Sequence, residues 1–281
     1  MDAALVRQLQ IKATKVRMHV IDGTFHAKSG HPGGSLSIAD LLTYIYTMKL
    51  NVDPKNPNMY DRDRLVLSKG HCAPALYGIL AEQGFFDKAE IKNLRHIGSF
   101  LQGHPDMKKT PGVDMSTGSL GQGISAACGM ALAGKLDSVP YKVYTILGDG
   151  EIEEGEVWEA AMFAAHYNLD NLIAVVDFNG LQIDGKITDV CSPLPIDKKF
   201  EAFGWHVITM DAHDFNDIDR AFDEAEKIAG KPVAIIQTSV KGKGVSFMEN
   251  QCGWHGKATN AEEYETAMNE LEAKLAELEG R

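Results

Sequence analysis

Short runs of β-branched and apolar residues alternate with helix-length amphipathic segments along this chain. Arg64–Leu67, Val143–Leu147, Leu172–Val176, Trp205–Met210 and Val233–Thr238 have the length and composition of buried strands. Residues 4–28 are expected to be helical, with Leu5, Leu9, Ile11, Val16, Met18 and Ile21 as apolar contributors. Further helices are expected over Ile38–Met48, with Ser37 as a candidate cap, and over Ile124–Leu136, Val157–Tyr167 and Asp217–Ile228. Ser192 to Ala202 reads as a loop entering a short helix, and Asp184 to Ile187 as a turn. A charged tail, Ala261–Leu278, keeps Tyr264, Met268, Leu271, Leu275 and Leu278 near one face. This alternation predicts an α/β fold: a mostly parallel sheet with helices on both faces. No repeat or linker divides residues 1–281, so one domain with a helical tail is expected.

The stretch from Val143 to Leu181 organises the rest. Two apolar runs flank a helix-length segment, a βαβ unit whose strands run parallel. Gly148-Asp149-Gly150 follows the first strand and Asn179-Gly180-Leu181 the second. In a parallel sheet the carboxyl edge is where ligands bind. Neighbouring strands lie roughly 4.8 Å apart, so two side-chain oxygens there can reach one ion. Carboxylate, amide and carbonyl oxygens suit a hard cation, with phosphate oxygens completing its shell. Gly148 and Gly150 remove side chains where a phosphate would approach. Gly-Asp-Gly alone is equally an ordinary strand-to-helix turn; the Asn-Gly at the next strand end favours a site.

Composition narrows the classes. No apolar run approaches the ~18 residues that span a membrane. Met1-Asp2-Ala3-Ala4 lacks the basic-then-apolar order of a signal peptide. A net charge of −11, spread along the chain, argues against a nucleic-acid groove. Cys72, Cys128, Cys191 and Cys252 show no zinc or disulfide spacing, which fits a reduced, cytoplasmic setting.

Four histidines sit beside glycines in polar loops: His31, His71, His104 and His255. A packed core does not need that pattern, and imidazole trades protons near neutral pH. Ser116 to Gly123 is glycine-rich and feeds a small-residue helix. Gly121, Gly123 and Ala126 formally satisfy a dinucleotide-binding pattern. No apolar strand precedes them, so a nicotinamide dehydrogenase is rejected. Close helix packing through Gly and Ala is the plain alternative for this loop.

Gly-Asp-Gly with an Asn thirty residues after the Asp resembles the diphosphate signature of thiamine diphosphate enzymes. That signature often ends in two Asn; here Phe178 stands first and only Asn179 matches. Ser-Gly-His-Pro-Gly, Ser-Lys-Gly-His, Gly-His-Pro-Asp, Ser-Thr-Gly-Ser-Leu-Gly-Gln-Gly and Trp-His-Gly also occur. In that order, from Ser29 to Gly256, the chain resembles the N-terminal part of transketolase. The resemblance implies a thiamine diphosphate-binding fold of the diphosphate-binding type. It implies that Asp149, Asn179 and the carbonyl of Leu181 hold Mg²⁺, with Ca²⁺ or Mn²⁺ as alternatives, and that the ion grips the cofactor. Gly148 and Gly150 belong to the same loop. His31, His71, His104 and His255 would line the substrate channel. Lys241 and His255 would lie near the diphosphate, and Gly118, Ser119 and Leu120 would contact the aminopyrimidine. Glu154 and Glu159 match interface acids that couple neighbouring sites; without the resemblance they are a solvated helix start. Arg95 matches a basic residue at the channel mouth.

The implied activity is transfer of a two-carbon ketol unit from a ketose phosphate to an aldose phosphate. In the family, the glutamate that activates the aminopyrimidine and the groups that bind substrate phosphate lie in a following domain. The expectation is therefore a split enzyme, pairing with a separate C-terminal subunit, two copies of each; a section of a longer chain is the other origin. The rivals are a 1-deoxyxylulose-5-phosphate synthase, a transketolase-like enzyme of a specialised sugar pathway, and a noncatalytic diphosphate-binding protein.

Overall fold

Five of the apolar runs form one parallel sheet in the computed structural model, which describes residues 1–281 throughout. The strands are β1 (Arg64–Leu67), β2 (Val143–Gly148), β3 (Leu172–Phe178), β6 (His206–Asp211) and β7 (Val233–Thr238). They lie in the order β1-β2-β3-β7-β6, with every neighbouring pair parallel. A small antiparallel hairpin, β4 (Leu181–Gln182) with β5 (Gly185–Lys186), hangs from the end of β3. Its turn is the one expected at Asp184.

The helices, in chain order, begin with α1 (Ala3–Ala27), α2 (Pro32–Ser37), α3 (Ala39–Tyr44) and α4 (Ala73–Gln83). Next come α5 (Gln122–Leu136), α6 (Gly155–His166), α7 (Ile187–Val190), α8 (Ile196–Ala202), α9 (Phe215–Ala225) and α10 (Ala261–Glu279). The period of two along each strand splits the core into two layers. Tyr144, Ile146, Ile173, Val175, Val233 and Ile235 join a cluster with residues of α1, α3, α4 and α9. Val143, Leu147, Leu172, Ala174, Val176, Ala234 and Ile236 join one with residues of α5, α6 and α8. Helices therefore cover both faces, as the alternation required.

Three local expectations are corrected. The loop expected around His31 is in part helical: Pro32–Ser37 forms a helical turn in which Pro at its start pre-sets φ and Gly33 and Gly34 are fully packed. Ser37 does not cap the next helix; its hydroxyl donates to Gly34 O at 2.9 Å and Asp177 Oδ2 at 2.7 Å. The helix expected to reach Met48 is regular only to Tyr44 and widens into a π turn over Ile45–Lys49. Helix α4 is absent from the elements expected from sequence; it is apolar on nearly every side and buried from Ala73 to Ala81. The tail helix α10 starts from a reciprocal cap between Asn260 and Glu263 and lies on α1. There Tyr264 stacks on Phe25 with ring centres 4.1 Å apart, and its hydroxyl donates to Asp22 at 3.0 Å.

Candidate active site

Because all five strands point the same way, the loops that follow them collect at one edge. Ser68–His71 follows β1, Asp149–Glu151 follows β2, Asn179–Leu181 follows β3 and Ser239–Lys241 follows β7. Together they enclose a cavity of about 140 Å³ lined by Lys69, His71, Leu120, Gly148, Asp149, Gly150, Asn179, Leu181, Lys241 and His255, among others. A larger hollow, about 430 Å³, opens between Lys135, Tyr141, Asp170 and Asn171 at the other end of the strands. The smaller one is the functional candidate, because the titratable groups and the strand-end oxygens converge there.

The pairing of Gly148 with Asp177 sets Asp149 beside the turn that carries Asn179. Asp149 is buried; its Oδ1 accepts from Gly150 N at 3.0 Å and its Oδ2 from Gly180 N at 2.6 Å. Asn179 Oδ1 accepts from Leu181 N at 3.1 Å, and Leu181 O accepts from Lys241 Nζ at 3.0 Å. No group of three His, Cys, Asp or Glu side chains is placed to hold an ion. The oxygens at hand are instead a carboxylate, an amide and a carbonyl, the donors a small hard cation takes. Burial, and then the neighbouring Asp177 charge, push the Asp149 carboxyl up to about 7. A buried carboxyl under that stress is one that a divalent ion would relieve, so the residues fit the ion and the diphosphate it would carry.

Under this loop lies a charged knot. Asp177 is fully buried and takes five side-chain donors. Lys69 Nζ at 2.5 Å, Ser37 Oγ at 2.7 Å and Asn179 Nδ2 at 3.1 Å reach Oδ2. Ser239 Oγ at 2.5 Å and Gln237 Nε2 at 2.7 Å reach Oδ1. Burial alone would raise the Asp177 pKa, but Lys69 and the hydroxyls outweigh it and hold the group ionised far below the usual carboxylate range. Lys69 is correspondingly held charged, its own burial outweighed by Asp177. A second buried acid, Glu151, accepts from Ser68 Oγ at 2.5 Å, Gly121 N at 3.0 Å and Gly148 N at 3.0 Å. It ties the glycine-rich loop at Gly121 to the Gly148–Gly150 turn.

Lys69, Asp177 and Glu151 are not among the site residues expected from sequence. An acid ending the otherwise apolar run Leu172–Phe178, and a Lys right after a buried strand, were the available signals.

The four imidazoles meet at the mouth of this cavity. Ring centres of His31 and His71 are 5.4 Å apart, His31 and His255 5.4 Å, His71 and His255 5.0 Å, and His31 and His104 6.2 Å. Arg95 Nη2 donates to His31 Nδ1 at 3.4 Å and Lys241 Nζ donates to His255 Nδ1 at 3.1 Å. Each bond places the remaining ring proton on Nε2. Burial lowers the pKa of all four; with Arg95 added for His31 and Lys241 for His255, those two fall to about 4. With pKa values lowered from the ordinary imidazole range, the rings are neutral at pH 7; His71 and His104 each offer one donor and one acceptor nitrogen, while His31 and His255 offer only the Nε2 donor. Arg95 itself stands at φ 62° and reaches over Gly103, where a Cβ would lie 2.6 Å from its guanidinium carbon.

Gly118 has φ 140°, and a Cβ there would sit 2.6 Å from the His104 ring, so only glycine fits. Gly118 and Ser119 lie outside the cavity lining, whereas Leu120 is in it. Glu154 and Glu159 are exposed and also outside it.

Residues 8–276 match the family described as transketolase, thiamine diphosphate binding domain. The chain belongs to the transketolase family. It is 46% identical, over 95% of its length and 98% of the relative's, to a 6-deoxy-6-sulfo-D-fructose transketolase subunit from Clostridium sp. (strain MSTE9). It is 41% identical, over 98% of its length and 97% of the relative's, to an apulose-4-phosphate transketolase subunit from Phocaeicola vulgatus. Human transketolase is 42% identical over 98% of the chain, which spans 44% of that protein. Among solved structures, transketolase from Campylobacter jejuni superposes with a TM-score of 0.89 and 32% identity, over 99% of this chain and 46% of that one. The chain is thus a thiamine diphosphate-binding transketolase domain, and its α/β fold is that of the family.

Proposed function

We propose that this chain is the diphosphate-binding half of a transketolase that moves a two-carbon ketol unit from an anionic ketose to an aldose phosphate. The observation that carries this is the convergence of four imidazoles above the strand-end oxygens of Asp149, Asn179 and Leu181. Those oxygens hold Mg²⁺, with Ca²⁺ or Mn²⁺ able to take the same place, and Gly148 and Gly150 leave room for the phosphate oxygens. Lys241 adds a buried positive charge beside them. Gly118, Ser119 and Leu120 form the wall for the aminopyrimidine, and Glu154 and Glu159 face a neighbouring protomer. When bound, thiamine diphosphate supplies the nucleophilic carbon that takes up the ketol unit.

The chain's own work is proton handling and orientation. The acceptor nitrogens of His71 and His104 take a hydroxyl proton as a carbon–carbon bond breaks and return one when the next bond forms, because Nδ1 of His31 and of His255 already accepts from Arg95 and Lys241. The Nε2–H groups of His31 and His255, with the N–H groups of the other two rings, stabilise the alkoxide between those events. Arg95, at the mouth, meets the anionic end of the sugar.

A separate chain supplies the rest of the site, with two copies of each. The two relatives matched over nearly their full length both carry the word subunit in their names, which supports this arrangement. Residues 1–281 act as one thiamine diphosphate-binding unit in the cytoplasm, and no helix is long and apolar enough to cross a membrane. The test is reconstitution. Ketol transfer with thiamine diphosphate and Mg²⁺ is expected only when a C-terminal transketolase subunit is added, and full activity of the purified chain alone overturns the split site. A donor panel including phosphorylated and sulfonated ketoses reads the sugar.

A further inference from the structure

Behind the cavity, a second buried charged group grips the loop that carries Lys241. Arg17, on α1, donates through Nη1 and Nη2 to both carboxylate oxygens of Asp40 on α3, at 3.0 and 2.5 Å. Asp40 Oδ2 also accepts from His213 Nδ1 at 2.8 Å. His213 Nε2 in turn accepts from Val240 N at 3.0 Å, and a backbone N–H can only donate, so the ring proton sits on Nδ1. At the other end of the same loop, Arg17 Nε donates to Lys243 O at 3.0 Å. Val240 and Lys243 bracket Lys241, whose ammonium reaches Leu181 O and His255. Between them Gly242 donates to Gly33 O at 2.9 Å and stands at φ 82°, with Met248 O standing where a Cβ would need room. Arg17 and Asp40 are both at least nine-tenths buried, and neither lines the cavity. Two buried charges and a ring of fixed tautomer thus converge on one four-residue loop, and the only member of that loop facing the site is Lys241.

We propose that Arg17, Asp40 and His213 are positioning residues, a clamp that holds the Val240–Lys243 loop so that the Lys241 ammonium stays at the diphosphate end of the cavity. The inference rests on Lys241 as a diphosphate contact, as proposed above. Outer groups that orient a primary ligand commonly change affinity about 10–100-fold when removed.

Two substitutions at His213 separate the bonds. His213→Asn keeps a donor to Asp40 and loses the acceptor for Val240; His213→Gln keeps an acceptor for Val240. Both are made in the full chain. Melting temperature, hydrogen exchange of the 239–244 segment, and the dissociation constant for thiamine diphosphate with Mg²⁺ in the reconstituted complex are measured for each. With His213→Asn, exchange of that segment is expected to accelerate and binding to weaken by about tenfold. His213→Gln is expected to restore both at a similar melting temperature. A merely structural role would lower the melting temperature of both variants alike and leave binding parallel to it, which overturns the proposal. So does unchanged exchange in His213→Asn. Lys241→Met is measured beside them: unchanged binding there, with faster exchange in His213→Asn, overturns the role of Lys241 while leaving the loop contact itself established.

Discussion

Asn179 donates its side-chain N–H to Asp177 at 3.1 Å, and that bond decides which way the amide faces. With Nδ2 committed to the buried carboxylate, Oδ1 is turned away from Asp177 and accepts from Leu181 N. Asp177 therefore orients Asn179, and through it the proposed cation site, while Lys69, Ser37, Ser239 and Gln237 hold Asp177 itself.

Asp177→Asn is expected to leave Lys69 as a buried, unpaired cation and to cost about 3–5 kcal/mol of unfolding free energy. Thiamine diphosphate and Mg²⁺ should bind at least about tenfold more weakly. Adding Lys69→Met should recover part of the stability and none of the binding. Urea unfolding and calorimetry check the two readouts separately; an Asp177→Asn protein of unchanged stability contradicts the ion-pair assignment.

Asp149→Asn should act in opposite directions on stability and binding. At pH 8 the Asp149 carboxylate is ionised although burial and Asp177 push its pKa up to about 7, so the folded state carries it at a cost. The amide keeps an acceptor for Gly180 N and turns an N–H toward Gly150 N, a loss smaller than the gain from removing the buried charge. The melting temperature of the ligand-free chain is expected to rise by a few degrees, and cofactor binding with Mg²⁺ to be lost. A lowered melting temperature would show that the charge is not strained.

The histidines set a pH dependence. His31 and His255 fall to about 4 in the folded chain, whereas an unfolded imidazole titrates near about 6.5. Between those values the unfolded chain binds more protons. Their contribution to stability is therefore complete above pH ~6.5 and lost progressively as pH falls toward about 4. Replacing both by Asn should flatten the fall in urea midpoint between pH 7 and pH 5. An unchanged slope would place the acid sensitivity elsewhere.

Glu151→Gln should loosen the join between the glycine-rich loop and the diphosphate loop. The carboxylate now accepts from Ser68, Gly121 and Gly148, and an amide nitrogen in its place opposes at least one of those donors. A loss of about 1–3 kcal/mol is expected, with weaker cofactor binding. Differential scanning calorimetry of the ligand-free chain checks the first part, and equal stability of the variant would contradict it.

Much of this was legible in the chain because it is local. The five strands show as compact apolar runs, and their parallel order places Asp149 and Asn179 at one edge without further information. The four histidines announce themselves through neighbouring glycines. What was not legible depends on distant partners. Lys69 and Asp177 are 108 residues apart and Ser37 lies 140 residues from Asp177, so no spacing reveals that they share one buried knot. Helix α4 is buried on nearly all sides and so lacks the two-faced periodicity that marks a surface helix. Pro32–Ser37 carries two glycines that read as loop, yet Gly34 is needed because a Cβ there would lie 2.9 Å from Cys72 Sγ.

An anomalous difference map from crystals grown with thiamine diphosphate and Mn²⁺ tests the metal and diphosphate site most directly. A single peak within about 2.2 Å of Asp149, Asn179 Oδ1 and Leu181 O, with the diphosphate on its far side, is expected. A peak elsewhere, or cofactor bound with Asp149 and Asn179 turned apart, contradicts it.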